Sequence, residues 1–264
     1  MTPRSFVAAD LDVDALCKAK ADLGTSISVC IPARDEDETV GGVVGAIVHA
    51  LCERYALVDE VLVVDDASRD RTAEVARRAG AQVVENAESH GKGHALWTSL
   101  AASTGDLVVW VDADVRGFDP RFVIGLAGPM LLHDDIDFVK GWYERNSGRV
   151  TELVARPVIS LLHPDLRPFH QPLSGEFAGR RALLESLPFT TDYGVDLGLL
   201  IDIERAIGLE RIAQVDLGVR VHRNRPLEEL TPQAEQVLRA ALERADVVPV
   251  ANRRPPLSQE KINP

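Results

Sequence analysis

The run Gly105-Asp106-Leu107-Val108-Val109-Trp110-Val111-Asp112-Ala113-Asp114 decides the fold of this chain. Five consecutive apolar residues, Leu107 to Val111, stop at two carboxylates. That is the composition of a strand buried on both faces whose carboxyl end opens on a polar site. Just upstream stand the helix His94 to Thr104 and its leading turn Gly91-Lys92-Gly93. Before them come the short strand Ala81 to Val84, the helix Thr72 to Ala79 closed by Gly80, and the strand Glu60 to Val64 with its polar turn Asp65 to Asp70. Ser26 to Ile31, halted at Pro32, reads as another strand. The acidic loop Asp35-Glu36-Asp37 then leads into Thr39 to Tyr55, where Val40, Val43, Val44, Ile47, Val48 and Leu51 recur at helical spacing. Strands separated by helices imply parallel pairing through right-handed crossovers, so the reading is an α/β fold with a mainly parallel central sheet flanked by helices.

Downstream the pattern is less regular. Asp137 to Trp142 reads as a strand, Arg149 to Leu162 as a helix, and Leu173 to Arg181 as a loop carrying Gly175 and Glu176. A helix from Gly194 to Ile207 and a strand from Ile212 to Val221 follow. The C-terminal helix lies within residues 231–250, with Thr231 as its cap and Pro232 at its first position. Residues 1–25 read as a helical lead-in that rests on the body through Leu11, Leu16 and Leu23, residues 26–230 as one domain, and residues 251–264 as a mobile tail.

A net charge of −12 over 264 residues opposes nonspecific nucleic-acid binding, which relies on clustered Lys and Arg. Any phosphate ligand then needs a local cluster of cations or a bound metal. No apolar stretch approaches the roughly 20 residues of a membrane span, and the amino terminus lacks the apolar core of a secretory signal. The expectation is a cytoplasmic protein with no membrane partner. Cys17, Cys30 and Cys52 have no metal-ligand spacing and read as reduced thiols.

Asp112 and Asp114 follow the strand two residues apart, so both carboxylates can serve one hard cation, Mg²⁺ or Mn²⁺, at the end of the sheet where ligands bind. The competing reading is a solvated acidic turn. In Gly91-Lys92-Gly93 the glycines permit close backbone approach to an anion and Lys92 adds a point charge, although the spacing is not that of a Walker loop. His222 stands in Arg220-Val221-His222-Arg223-Asn224-Arg225, where imidazole completes a metal shell or simply sits at the surface, and the three arginines suit a phosphate.

Taken together these stretches resemble the retaining GT-A glucosyl-3-phosphoglycerate synthases and the related mannosylglycerate-type synthases. The resemblance rests on Ile31-Pro32-Ala33-Arg34-Asp35-Glu36, Val64-Asp65-Asp66-Ala67-Ser68, Gly91 to Trp97, Asp112-Ala113-Asp114, Gly148 to Pro157, Gln171 to Glu176, Tyr193-Gly194-Val195-Asp196 and His222 to Pro226. It implies a Rossmann-like nucleotide-sugar fold with a donor half over about residues 26–115 and an acceptor half over about 116–230. By resemblance the nucleotide sugar, a UDP-sugar, meets Pro32, Ala33, Arg34, Glu36, Asp66, Gly91, Lys92, Asp112, Ala113, Asp114 and Tyr193. The metal falls to Asp114 and His222 with Asp112, and the catalytic set is Lys92, Asp196 and Glu176. A small phosphorylated carboxylate acceptor falls to Arg149, Val150, Thr151, Gly175, Asn224 and Arg225. The implied enzyme is a homodimer that moves glucose from UDP-glucose or GDP-glucose to D-3-phosphoglycerate by front-face attack. Alternatives are a GDP-mannose or other donor, a different polar acceptor, or a nucleotide-binding homologue without turnover. Two departures stand out: Asp196 replaces the family's usual Glu, and Ser174 replaces a glycine before Gly175-Glu176.

Overall fold

The computed structural model describes residues 2–144, 148–219 and 227–245. Among these residues, eight strands form one sheet: β1 (Arg4–Val7), β2 (Ile27–Ala33), β3 (Glu60–Asp65), β4 (Gln82–Glu85), β5 (Leu107–Trp110), β6 (Phe138–Glu144), β7 (Phe177–Arg180) and β8 (Ile212–Val219). Their order across the sheet is β1-β8-β6-β7-β5-β2-β3-β4. All neighbouring pairs are parallel except β5–β7 and β6–β7, so the mainly parallel sheet is present, with one reversed strand at its centre.

The apolar runs split by alternation between the two faces. Val29 and Ile31 of β2, Val61 and Val63 of β3, and Leu107 and Val109 of β5 enter one core. Cys30, Leu62, Val64, Val108 and Trp110 enter the other. The first core is roofed by α1 (Val13–Leu23), α2 (Val40–Ile47), α3 (Thr72–Arg78) and α5 (Arg121–Leu132). The second is roofed by α4 (Lys92–Ala102), α6 (Arg156–Leu162), α7 (Arg181–Glu185), α8 (Val195–Ile207) and α9 (Leu227–Glu243). A strand covered on both sides has no polar face to alternate, which is why these stretches read as unbroken apolar runs.

Several expectations are corrected. The lead-in is more than a helix: Arg4–Val7 adds an edge strand parallel to β8, and of its three leucines Leu16 is fully buried whereas Leu23 is exposed. The supposed loop Leu173 to Arg181 contains β7, whose residues Phe-Ala-Gly-Arg hold no β-branched side chain to announce a strand. The segment between Asp114 and Asp137, given no element above, holds α5, which is buried from Phe122 to Leu131 and therefore has no amphipathic stripe. Helix α4 begins at Lys92 rather than His94. Helix α9 begins at Leu227, which puts Pro232 inside it instead of at its first position.

Candidate active site

The chain order β2-β3-β4-β5 appears in the sheet as β4-β3-β2-β5, so the direction of winding reverses between β2 and β5. Crevices form at the carboxyl ends of strands beside such a reversal. A cleft of about 420 Å³ opens there, lined by Pro32 to Glu36 after β2, Asp66 after β3, Asp112 to Asp114 after β5, Gly91, Lys92 and Ala95 at the start of α4, and Tyr193. All eleven residues assigned above to the nucleotide sugar line it; Asp35 and Ala95 complete the wall.

Hydrogen bonds between loops set the wall's shape. Asp66 is buried, with Asn86 Nδ2 donating to its Oδ1 at 3.1 Å and Ser89 Oγ donating to its Oδ2 at 2.5 Å. Arg34 Nη1 donates to the same Ser89 hydroxyl at 2.6 Å. The acidic loop is buttoned to the next one: Asp35 N donates to Ser68 Oγ at 3.0 Å, Arg69 N to Asp35 Oδ1 at 2.7 Å, and Glu36 N to Thr72 Oγ1 at 2.8 Å. Asp35 and Ala67 both hold left-handed backbone, with φ of 55° and 58°, a conformation that non-glycine residues keep only where neighbours enforce it.

Across the cleft, the glycines of Gly91-Lys92-Gly93 also pack closely against the protein's own chain. A side chain on Gly93 would stand 1.7 Å from Thr190 O, and one on Gly91, where φ is +103°, would stand 2.8 Å from Thr191 O. The space is taken by the protein's own segment 190–192, which is tied down by His94 N donating to Thr191 O at 2.9 Å. This docking carries the first turn of α8 to Lys92. The Lys92 ammonium donates to Asp196 Oδ2 at 3.0 Å and lies 3.5 Å from Asp112 Oδ1. Gly175 backs this group so closely that a Cβ there would meet Asp112 Oδ1 at 2.4 Å and Lys92 Nζ at 2.7 Å.

The electrostatics follow from burial and company. Burial opposes the Lys92 charge, but Asp112, Asp196 and Glu176 outweigh it and hold the ammonium's pKa above its ordinary value. Burial pushes the Asp196 carboxyl up, against the pull of Lys92 and Lys140. Glu176 is fully buried beneath the cleft, where Ser174 Oγ donates to its Oε2 at 2.9 Å, so its charge acts from behind the Lys92 group. Ser174, one of the two departures, is thus the hydroxyl that anchors Glu176. Lys140 of β6 was missed by the sequence reading, although a lone lysine inside Phe138-Val139-Lys140-Gly141-Trp142 is the signal that could have found it. It is 2% exposed.

For the metal, Asp112 and Asp114 present hard oxygen donors beside the cleft, a donor set that suits Mg²⁺ or Mn²⁺. His222 lies outside the described residues, and among those described no group of three metal-binding side chains forms. Asn224 and Arg225 lie outside them as well. Arg149, Val150 and Thr151 open the helical stretch that continues into α6 and do not line the cleft, whereas Gly175 does stand against its floor.

A sheet-end cleft with two strand-end carboxylates and a lysine held among acids defines a site for a nucleotide diphosphate and its cation. Comparison with known proteins makes the class specific. Residues 28–193 match the family model Glycosyl transferase family 2, and the chain belongs to that family. It is 46% identical over 261 residues to a glucosyl-3-phosphoglycerate synthase of Mycolicibacterium smegmatis, covering 92% of this chain and 83% of the relative. The corresponding Petrotoga mobilis synthase is 41% identical, covering 89% and 78%. Among solved structures, a mannosyl-3-phosphoglycerate synthase from Rubrobacter xylanophilus superposes with a TM-score of 0.88 at 42% identity, covering 91% of this chain and 80% of that one. The Mycobacterium tuberculosis glucosyl-3-phosphoglycerate synthase in complex with Mn²⁺, UDP and glucosyl-3-phosphoglycerate gives 0.86 at 44%, covering 94% and 89%. The fold is GT-A.

Proposed function

We propose that this protein transfers the glucosyl group of UDP-glucose to D-3-phosphoglycerate, retaining the anomeric configuration, with Mg²⁺ or Mn²⁺ as cofactor. The observation that carries the reading is the convergence of the eleven donor positions on one cleft, with Lys92 suspended between Asp112 and Asp196. Pro32, Ala33 and Glu36 wall the base, and the buried Asp66 network fixes the ribose side. Asp112 and Asp114, with His222, would hold the cation, which when bound supplies Lewis-acid charge against the diphosphate. Lys92 reaches the same oxygens as the bond from sugar C1 to the diphosphate breaks, so negative charge develops against a fixed ammonium. The acceptor oxygen bonds to C1 on the face the diphosphate leaves, and its proton departs with a leaving-group oxygen. Asp196 orients the sugar, and Glu176 acts through its charge beneath Lys92. Arg149, Val150, Thr151, Asn224 and Arg225 would receive the acceptor's phosphate and carboxylate beside Gly175.

The likeness to a mannosyl-3-phosphoglycerate synthase supports a second reading, in which the donor is a mannosyl nucleotide. UDP-glucose, GDP-glucose and GDP-mannose crossed with 3-phosphoglycerate and glycerate, with products identified by mass, separate the two. The proposal fails if UDP-glucose with 3-phosphoglycerate yields no product mass. No helix of the described residues is long and apolar enough to cross a membrane. We place the enzyme in the cytoplasm as a homodimer. Its three free cysteines support that compartment, and the exposed Leu153 and Leu161 beside α6 offer a self-contact.

A further inference from the structure

Beneath the cleft lies a charge arrangement that the donor and acceptor assignments leave unused. Lys140 extends from the middle of β6 on the same face as Phe138, and its ammonium sits 4.7 Å from the centre of the Phe177 ring. Its ammonium donates a long hydrogen bond, 3.4 Å, to the main-chain carbonyl of Asp196. The Asp196 carboxylate is nearly sealed from solvent. Its Oδ2 takes the Lys92 bond, while its Oδ1 is buried with no hydrogen-bond partner among the described residues. An ammonium with donors to spare thus lies against a residue whose carboxylate has an acceptor to spare. The two lysines differ in access, because Lys92 lines the cleft and Lys140 does not.

This inference rests on the transfer reading above, in which Lys92 turns to the donor's diphosphate. When it does, Asp196 loses its one hydrogen-bonded cation, and a buried carboxylate left alone is costly and tends to take up a proton. We propose that Lys140 is the positioning residue for Asp196, the second cation that keeps this carboxylate ionised and in place while Lys92 is engaged by the donor. The charged groups about Asp196 are Lys92 from α4, Lys140 from β6, Asp112 after β5 and, facing both lysines, Glu176 before β7. Burial lowers the pKa of the Lys140 ammonium to about 8, opposed most strongly by Asp196. Its main-chain bond also pins the first turn of α8, the turn that presents Asp196.

The test compares wild type, Lys140→Met, Asp196→Asn and the double variant. Calorimetry reads UDP and UDP-glucose binding, and steady-state turnover is followed with UDP-glucose and 3-phosphoglycerate. Lys140→Met should leave UDP affinity within about threefold, because Lys140 lies off the cleft, while kcat/KM for UDP-glucose falls tenfold or more. The double variant should be no worse than Asp196→Asn alone within about threefold, since Lys140 has nothing left to position. Lys140→Gln, which keeps a donor but no charge, should lose as much as Lys140→Met, and it carries the comparison if the methionine variant does not fold. The idea is overturned if kcat/KM stays within threefold of wild type, if the two single losses multiply in the double variant, or if UDP affinity falls in step with turnover. A wild-type enzyme that makes no product from this pair refutes the proposed function instead. The affinities then decide about Lys140: a tenfold weakening confined to UDP-glucose supports it, and equal weakening of UDP and UDP-glucose overturns it.

Discussion

Gly175→Ala places one methyl group where the structure has least room for it. The new Cβ would stand 2.4 Å from Asp112 Oδ1 and 2.7 Å from both Asp112 Oδ2 and Lys92 Nζ. Contacts of this kind do not fall below 3.0 Å, so Asp112 must retreat by at least 3.0 − 2.4 = 0.6 Å and Lys92 by 3.0 − 2.7 = 0.3 Å. Both lie at flexible ends, so the fold should absorb the change. Gly175 is not among the positive-φ glycines, and alanine meets no backbone strain there. Catalysis should absorb it poorly, since a site group has to be held to within about 0.5 Å and a misplacement near 1 Å can cost about a hundredfold. The expected loss in kcat/KM is about tenfold to a hundredfold, or about 1.4 to 2.7 kcal/mol of transition-state stabilisation. Turnover of UDP-glucose with 3-phosphoglycerate measures it, alongside a thermal melt that should move little. Gly42→Ala is the control, because a Cβ there meets nothing within 4 Å. Activity of Gly175→Ala within twofold of wild type would show that the Asp112–Lys92 spacing does not matter to the reaction.

Three further outcomes can be checked. Asp114→Ala should abolish turnover in a folded protein, and chelator treatment of wild type should do the same until Mg²⁺ or Mn²⁺ is restored; wild-type rates in either case remove the metal from the mechanism. Arg149→Ala should weaken the acceptor's apparent affinity by about tenfold to a hundredfold, the worth of a hydrogen bond to a charged group at roughly 1.5 to 3 kcal/mol, with UDP binding unchanged; glycerate reacting as well as 3-phosphoglycerate would refute the phosphate contact. Asp106 accepts from Ser26 Oγ at 2.7 Å and Ser26 N at 2.8 Å, which holds its carboxyl below the usual range. A depressed carboxyl contributes stability that is present above its unfolded value and lost as pH falls through its folded one. Asp106→Ala should therefore cost about 1 kcal/mol at pH 7, and urea melts should show the gap to wild type closing below about pH 4; a gap independent of pH would contradict this.

The part of the chain from β2 to β5 was legible because two physical signals coincide there. Strands buried on both faces are continuous apolar runs, and each ends in the polar residues of the cleft: Pro32 to Glu36, Asp66, and Asp112 to Asp114. The part after β5 lacked both. Helix α5 is apolar all round and carries Pro129, and β7 is four residues with no β-branched member. Its strand character comes from pairing with Leu107 to Trp110 and with Phe138 to Lys140, partners far away in the chain. The same distance hid the pairing of Lys92 with Asp196. Asp196 and Lys92 are 104 positions apart, and only the docking of segment 190–192 onto two glycines brings them together. Gly91 lines the cleft, and both glycines also make room for the chain itself.

The reversed strand at the centre of the sheet bears on how the molecule assembles. Strands β2 to β5 pair only among themselves until β7 arrives, and they are contiguous in the chain. As the polypeptide leaves the ribosome, the part built on β2 to β5 can close early through its βαβ crossovers. The remainder cannot grow onto it in order, because β6 emerges before the strand that must separate it from β5. Strand β1, the first to be made, waits for β8, whose partner residues follow about 200 positions later. Contacts of such separation are slow to form, since a long loop must close before any of them is gained. The part built on β1, β6, β7 and β8 is therefore the last to organise during synthesis, and for that interval the chain exposes the unpaired edge of β5 to any other strand within reach.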